Sequence, residues 1–491
     1  MTAHNEKCLL SLAIGGIQGF VYDIKSKGAA KRLRFRSAIL LLAPAVIAVK
    51  IKTEDPDAHI HYLGASQLTI EATQTAVQNT EAELRELRQW LATVSGGILN
   101  LYWAITPRTQ NLAKDIQEAR KNLSLAKWKA FRESNNWLNL LEKINQYKTQ
   151  GHLGDEEWES TQGGRMPREE WKGFRLSNQS TNTWQISHWH LLPVTEAPCD
   201  IPLPGTAQDG QPEVAIPLYA PQDEDGSVTE LEVLAEKGDG APYLAVLKLD
   251  GDSIGARLNQ TLNEDSSGKK YSKLSQRLNT FFGSGLQNLL KQCYPMLYLV
   301  YSGGDDLVLV GHFWETLQAA RTIQEKLQAH FSGEITASAG IAGFHKRAPL
   351  ISAIHQANAY LDTAKNQGKD RICAFGVTLI WKEFEQALTT TEELVDAVRS
   401  EHVPRGSLQF LKVLGNEYLE ANAPALSIKK PPEAVFPKFH YFAERRKLIQ
   451  NGKNSLKYLQ DLEQGSESAW RIASLAATLA SWRTKSKEEK E

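Results

Sequence analysis

Between residues 243 and 377 the apolar and polar positions fall into blocks that spell out one unit of strands and helices. "YLAVLKL" is apolar but for one Lys, as a buried strand is, and it runs into the small-residue turn "DGDSIG". "SKLSQRLNTFFGSGLQNLLKQ" has helical spacing, and Pro295 follows its end. "LYLVYSGGDDLVLVG" (297–311) then sets two apolar runs around Gly303-Gly304, which predicts a hairpin with a two-residue Gly-Gly loop. "HFWETLQAARTIQEKLQAHF" places Leu317, Ala320, Ile323, Leu327 and Phe331 on one helical stripe. "EITASAGIAGF" reads as a strand, "PLISAIHQANAYLDTAKNQG" as a helix started by Pro and stopped by Gly, and "RICAFGV" as a final strand. The order is β-α-β-β-α-β with an extra helix and strand, a ferredoxin-like layout.

The first hundred or so residues repeat it. "CLLSLAIGGIQGF" is a strand and turn, and "RSAILLLAPAVIAVK" is a helix broken by Pro44. "HIHYL" and "QLTIEA" are hairpin strands, "EAELRELRQWLATV" is a helix and "GILNLYWAIT" closes the set. Laid over the later hairpin, Tyr62 meets Tyr301, Gly64 meets Gly303, Ser66 meets Asp305 and Gln67 meets Asp306. This is a duplicated domain with one acidic copy and one neutral copy. The expected organisation is α+β: a first palm-like domain over 1–110, a helical then Pro/Gly-rich intervening region over 111–240, the acidic domain over 241–380, and a helical domain over 381–491.

Composition narrows the function. The formal net charge is -1 over 491 residues, so no global basic field marks a nucleic-acid binder. No apolar run approaches a membrane span and the first residues lack a basic, signal-like lead, so a cytoplasmic chain without membrane attachment is expected. The cysteines (Cys8, Cys199, Cys293, Cys373) form no CxxC pair, which argues against a disulfide framework or structural zinc.

Acidic pairs are poor strand formers, yet Asp305 and Asp306 sit between two buried strands. In the ferredoxin layout the first strand, ending at Asp250, lies beside that hairpin. Carboxylates brought together repel, and a divalent cation resolves the repulsion. Oxygen ligands without nearby His or Cys point to magnesium or manganese, the cation of phosphoryl transfer. Asp305 and Asp306 should point to opposite faces, with Asp305 the favoured ligand and Asp306 a weaker one. The turn through Gly251, Asp252 and Ser253 leads into a helix and offers backbone N–H groups to phosphate. Lys365 and Lys369 lie one helical turn apart, suited to a triphosphate or simply to the helix dipole. "KRLRFRS" (31–37) suits guide RNA, a nucleotide phosphate or a solvated helix start. His188 and His190 fall on one strand face and are expected to pack.

"LKLDGDSIG", "YSGGDDLVLVG", "ITASAGIA" and "AKNQGKDRI" together resemble the palm of GGDEF-type nucleotide cyclases. More closely they resemble the large subunit of type III CRISPR effector complexes, the Csm/Cmr large subunit. "GGIQGFVYDIKSKGAAKRLRFRS" is similar to that family's first palm and "FPKFHYFAERRK" (436–446) to its helical C-terminal domain. The resemblance implies polymerisation of ATP into cyclic oligoadenylates, switched on when CRISPR RNA pairs with target RNA among partner subunits. It implies Asp250, Asp305 and Asp306 as catalytic metal ligands. Ser302, Gly303 and Gly304 would form the nucleotide-approach turn, beside Gly251, Asp252 and Ser253, with Lys365 and Lys369 on phosphate. Many members also carry an HD nuclease domain and a four-cysteine zinc module. This sequence contains no His-Asp dipeptide and only Cys199 in the intervening region, so neither is expected. A dinucleotide cyclase outside CRISPR and a non-catalytic ribonucleoprotein scaffold are the alternatives.

Overall fold

The computed structural model describes residues 6–22, 29–64, 66–132, 173–177, 184–194, 201–202, 219–224, 228–421 and 466–485, with 438, 441, 449–450, 453–454 and 462. The chain forms two compact units, Met1–Glu230 with Ser253–Val308, and Leu231–Asp252 with Leu309–Glu491.

In the first unit β1 (Lys7–Gly15) leads through α1 (Ile17–Tyr22) and α2 (Ala29–Glu54) to the hairpin β2 (His59–Gly64) and β3 (Gln67–Thr73). The chain then passes α3 (Gln74–Asn79) and α4 (Glu81–Val94) into β4 (Asn100–Pro107). The sheet is antiparallel in the order β2-β3-β1-β4, the ferredoxin-like order. Leu84, Leu87 and Leu91 recur three and four residues apart on α4, and that spacing buries all three.

Pro44 does not break its helix: α2 runs unbroken from Ala29 to Glu54. A proline removes one N–H and leaves the carbonyl four residues earlier without its helical partner. That carbonyl belongs to Leu40, and the Ser66 N–H at the tip of the β2–β3 hairpin donates to it at 2.9 Å. The defect is repaired by tertiary structure and pins the hairpin tip to the helix.

Beyond the first palm, α5 (Leu112–Arg132) begins the expected helical stretch. β5 (Gly173–Ser177), β6 (Trp184–Ile186), β7 (Trp189–Val194) and β8 (Ile201–Pro202) form a small sheet in the order β6-β7-β5-β8. His188 lies in the turn before β7 and meets Glu86 Oε2 at 3.0 Å, so it does not share a strand face with His190. Cys199 lies outside the described residues.

The second palm follows α6 (Leu231–Lys237) with β9 (Tyr243–Gly251), α7 (Ile254–Glu264) and α8 (Lys269–Thr280). The helix expected as continuous is interrupted by a π turn, Phe281–Gly285, before α9 (Leu286–Cys293). Gly283 supplies the break, with φ -89° and ψ -106°. Next come β10 (Tyr298–Gly303), β11 (Asp306–His312), α10 (Phe313–Phe331), β12 (Ala337–His345), α11 (Leu350–Asn366), β13 (Arg371–Ala374) and β14 (Val377–Ile380). The sheet order is β10-β11-β9-β12-β13-β14, so its first four strands repeat the first palm's topology. The division between units falls within β11, after Val308. "RICAFGV" is two strands, not one, because Phe375 and Gly376 adopt φ of 52° and 88° and fold the chain back.

The C-terminal part packs α12 (Trp381–Arg399), α13 (Gly406–Ala421) and α14 (Glu467–Arg483) around Trp470, which stacks on Tyr418 with centroids 5.2 Å apart. A two-strand ribbon, β15 (Ile449–Gln450) with β16 (Lys453–Asn454), lies between α13 and α14 in the chain. Most of 436–446 lies outside the described residues. Among the described residues no helix is long and apolar enough to cross a membrane.

Candidate active site

Asp250 is the penultimate residue of β9, and the antiparallel register sets it opposite Ser338 on β12. Strand alternation puts Lys248 on the same face. Helix α11 runs along that face, and its residues two turns apart meet the two strand residues in turn. Lys248 Nζ donates to Asn358 Oδ1 at 2.6 Å, and Lys365 Nζ donates to Asp250 Oδ2 at 2.5 Å. The Asp250 and Lys365 side chains are 25% and 31% exposed, so solutes reach the pair. An ion pair that open adds little to stability, which leaves it free to exchange partners.

Asp252 behaves differently. Its Oδ1 accepts from Ser338 Oγ at 2.7 Å, and its Oδ2 from Thr336 Oγ1 at 2.8 Å and the Asp370 N–H at 2.9 Å. Its own N–H donates to the Thr336 carbonyl at 2.8 Å. The carboxylate and amide expected to meet nucleotide are committed to the protein. Gly251 is buried opposite Ala337, and Ser253 takes a left-handed conformation, φ 58°, at the start of α7.

Lys365 and Lys369 do not share a helical face. Helix α11 ends at Asn366, and Gly368 (φ 123°), Lys369 (φ 61°) and Asp370 (φ 47°) turn the chain away.

At the acidic hairpin the loop is Gly304-Asp305, not Gly303-Gly304. Gly303 is the last buried residue of β10, while Gly304 has φ of 70° and makes the turn. Asp306 opens β11. Ser302 is 1% exposed and its hydroxyl donates to the Phe282 carbonyl at 2.5 Å, so its side chain holds the π turn and does not face nucleotide.

Within the first unit the neutral hairpin lies close to the acidic one. A Cβ built on Gly304 would sit 3.1 Å from the Tyr62 hydroxyl, and one on Gly64 would sit 2.6 Å from it. Burial and then the Asp305 carboxylate raise the Tyr62 hydroxyl pKa; burial and then Asp306 raise those of Tyr301 and Tyr22. These tyrosines stay neutral beside the acids. Helix α2 reaches the edge of β10, where Tyr298 donates to the Ala30 carbonyl at 2.7 Å and Ser37 to that of Val300. Reciprocally, Asn279 on α8 donates to the Leu63 carbonyl of β2 at 3.0 Å. The superposition of Tyr62 on Tyr301 was the signal that could have nominated Tyr62; Thr336 and Ser338 gave none, because the register of β9 on β12 is not written locally.

No cluster of three or more His, Cys, Asp or Glu side chains placed to hold a metal ion occurs among the described residues. The donors present are carboxylate oxygens, and the Asp250 carboxylate already accepts a cation, the Lys365 ammonium. Carboxylate oxygen is the donor type that magnesium or manganese takes, one or two carboxylates being completed by water and substrate phosphates.

Two family models match the chain: "Cas10/Cmr2, second palm domain" over residues 243–373 and "Csm1 subunit domain B" over residues 6–152. With the paired palms of one topology, they define the class as an α+β palm protein. Both models describe domains of Cas10/Csm1-type large subunits of type III CRISPR complexes, to which the chain is similar across its two palms. It is similar to the subtype III-A Cas10/Csm1 single-strand-specific deoxyribonuclease of Mycobacterium tuberculosis, 24% identical over 78% of this chain and 55% of that protein. The counterpart from Enterococcus italicus is 27% identical over 36% of this chain and 24% of its own length. The chain thus spans between about a quarter and about half of these curated relatives. Among solved structures, Csm1 of T. onnurineus superimposes with a TM-score of 0.70 at 18% identity, covering 97% of this chain and 70% of that one. A Csm1-Csm4 cassette in complex with cA3 gives 0.68 at 19%, covering 98% and 70%. These likenesses establish the fold.

Proposed function

We propose that the chain joins ATP into cyclic oligoadenylates within an RNA-guided type III complex, alongside other subunits and CRISPR RNA, when target RNA is bound. The observation that carries this is the asymmetry of two palms with one topology: Asp305 and Asp306 stand in the second hairpin where the first has Ser66 and Gln67. Similar folds have been solved with one ATP and with cA3, which supports a nucleotide at this kind of palm.

Asp250 and Asp305, with Asp306 beside them, would hold magnesium or manganese. When bound, such a cation favours ionisation of a ribose 3′-hydroxyl and offsets charge on the α-phosphate as pyrophosphate leaves. The chain's own part is positioning and charge. Lys365 exchanges Asp250 for phosphate oxygen, and Lys369 adds a second ammonium. Gly304 leaves the turn without a side chain at the nucleotide's approach, and the neutral tyrosines keep competing charge away from the acids. Positioning and electrostatics dominate phosphoryl transfer, so no strong base is required.

The test is incubation of the purified chain with radiolabelled ATP or GTP and magnesium, with and without the assembled complex and target RNA. Target-dependent cyclic oligoadenylates are the expected product. A cyclic dinucleotide from GTP would make the chain a cyclase of the diguanylate type, and no product under any condition would make it a scaffold.

Two further outcomes follow from the sequence. With no His-Asp dipeptide in its 491 residues, the chain should leave single-stranded DNA uncut. Cutting that a chelator abolishes and a mock preparation lacks would overturn this. With a net charge of -1, the isolated chain should bind RNA only at micromolar concentration or weaker, about the range of non-specific contacts. Filter binding in the nanomolar range, or full ATP turnover without RNA, would contradict it.

A further inference from the structure

We propose that Asp252 is a positioning residue: its carboxylate locks the turn Gly368–Asp370, and through it Lys365 and Lys369, against the end of β9. This rests on the reading that these lysines meet nucleotide phosphate.

The turn is unusual in its backbone. Three successive residues have positive φ (123°, 61° and 47°), a region that the Lys369 side chain disfavours and that Asp370, as an aspartate, tolerates better. Such a conformation persists only where the surroundings impose it. The amides of Gln367, Gly368 and Lys369 bond back to the helix: Gln367 to Thr363 O at 3.0 Å, Gly368 to Lys365 O and Lys369 to Ala364 O at 3.3 Å each. The next amide, Asp370 N–H, instead leaves the helix and donates to Asp252 Oδ2 at 2.9 Å. That bond ties the strained turn to β9. The Asp370 carboxylate is steadied from the other side by Gln324 Nε2 at 3.4 Å.

The carboxylate is itself aimed. The register that pairs Gly251 with Ala337 brings Thr336 and Ser338 to the same face as Asp252, and their two hydroxyls donate to its two oxygens. Three donors converge on one acceptor group, which leaves it little freedom to reach a ligand elsewhere. Two residues before it, Asp250 receives the Lys365 ammonium from the last turn of the same helix. Asp252 therefore fixes the distance between the acid at the strand end and the lysines at the helix end.

This role predicts how substitutions divide. Asp252→Ala removes the acceptor and frees the turn. Asp252→Asn keeps one oxygen for Thr336 and the Asp370 N–H, while its amide donates to Ser338, whose hydroxyl can turn and accept. A residue acting by its charge on metal or phosphate would lose as much with Asn as with Ala.

The experiment uses the full chain. Amide hydrogen exchange is followed across 364–372 without nucleotide, and ATP affinity is measured by equilibrium binding with magnesium. Asp252→Ala should speed exchange at Lys369 and Asp370 and weaken ATP binding about tenfold, or about 1.4 kcal/mol; Asp252→Asn should stay within about twofold of the wild type in both. Should Asp252→Ala fail to fold, the double variant Thr336→Val with Ser338→Ala strips two of the aiming donors and should speed the same exchange. Unchanged exchange in the Ala or double variant overturns the clamp, as does an Asn variant as weak in ATP binding as Ala. If the wild type binds no ATP, the nucleotide reading fails, and the exchange measurements, made without nucleotide, still decide the clamp.

Discussion

Asp250→Asn or Asp305→Ala should lower oligoadenylate formation about a thousandfold, a loss of about 4 kcal/mol in transition-state stabilisation. Each removes a carboxylate charge at a partly open position, so the core is untouched. Asp250 is 25% exposed in its side chain, and asparagine there keeps an amide oxygen for Lys365. The neutral hairpin supplies the control. Ser66→Ala with Gln67→Ala should change the rate only a few-fold, although Ser66 is 3% exposed and not a surface residue. Its structural work is done by the backbone: the N–H bonds Leu40 O and the carbonyl accepts from Ile14 N at 2.8 Å, and alanine keeps both. The assay is oligoadenylate formation by the assembled complex, with complex assembly checked for each variant. Equal sensitivity of the two hairpins would show that the division into a catalytic and a supporting palm is mistaken.

The order of strands and helices in both palms was legible because each element carries its own period, and the ferredoxin-like sheet order follows from the element order. What escaped was decided between elements. A local rule reads Pro44 as a break because it cannot see that the Ser66 N–H rescues the Leu40 carbonyl. The helix after "DGDSIG" looked continuous, since its apolar spacing survives Gly283 while its hydrogen bonding does not. The acidic residues could be nominated from sequence, as charge at a buried hairpin needs an explanation. The difference between Asp250, open to solvent on Lys365, and Asp252, saturated by Thr336, Ser338 and Asp370, depends on a strand register that no local pattern encodes. Tyr62 looked like an ordinary strand aromatic, and its place against Gly304 arises only when the hairpins face one another.

Gly340→Ala should be the most disruptive single methyl in the second palm. Gly340 lies in the middle of β12, paired with Lys248 on one side and Cys373 on the other. Its φ is not positive, so alanine suits the backbone and the penalty is steric alone. A Cβ there would stand 2.1 Å from the Ala357 carbonyl oxygen and 2.4 Å from the Leu361 nitrogen. Both atoms belong to the backbone of α11, which cannot yield as a flexible side chain does, so the helix must lift from the sheet. Overpacking of this kind costs on the order of 3 kcal/mol or more, a large share of a domain's stability. The lift would also carry Asn358 and Lys365 away from Lys248 and Asp250, so activity should fall in whatever fraction still folds. Gly255→Ala is the matched control. It lies in α7 with nothing within 4 Å of its Cβ position, and alanine there should be neutral or stabilise by up to about 1 kcal/mol. Urea unfolding of the two variants beside the wild type makes the comparison. A Gly340→Ala midpoint equal to that of the wild type would mean that β12 and α11 are not packed backbone to backbone.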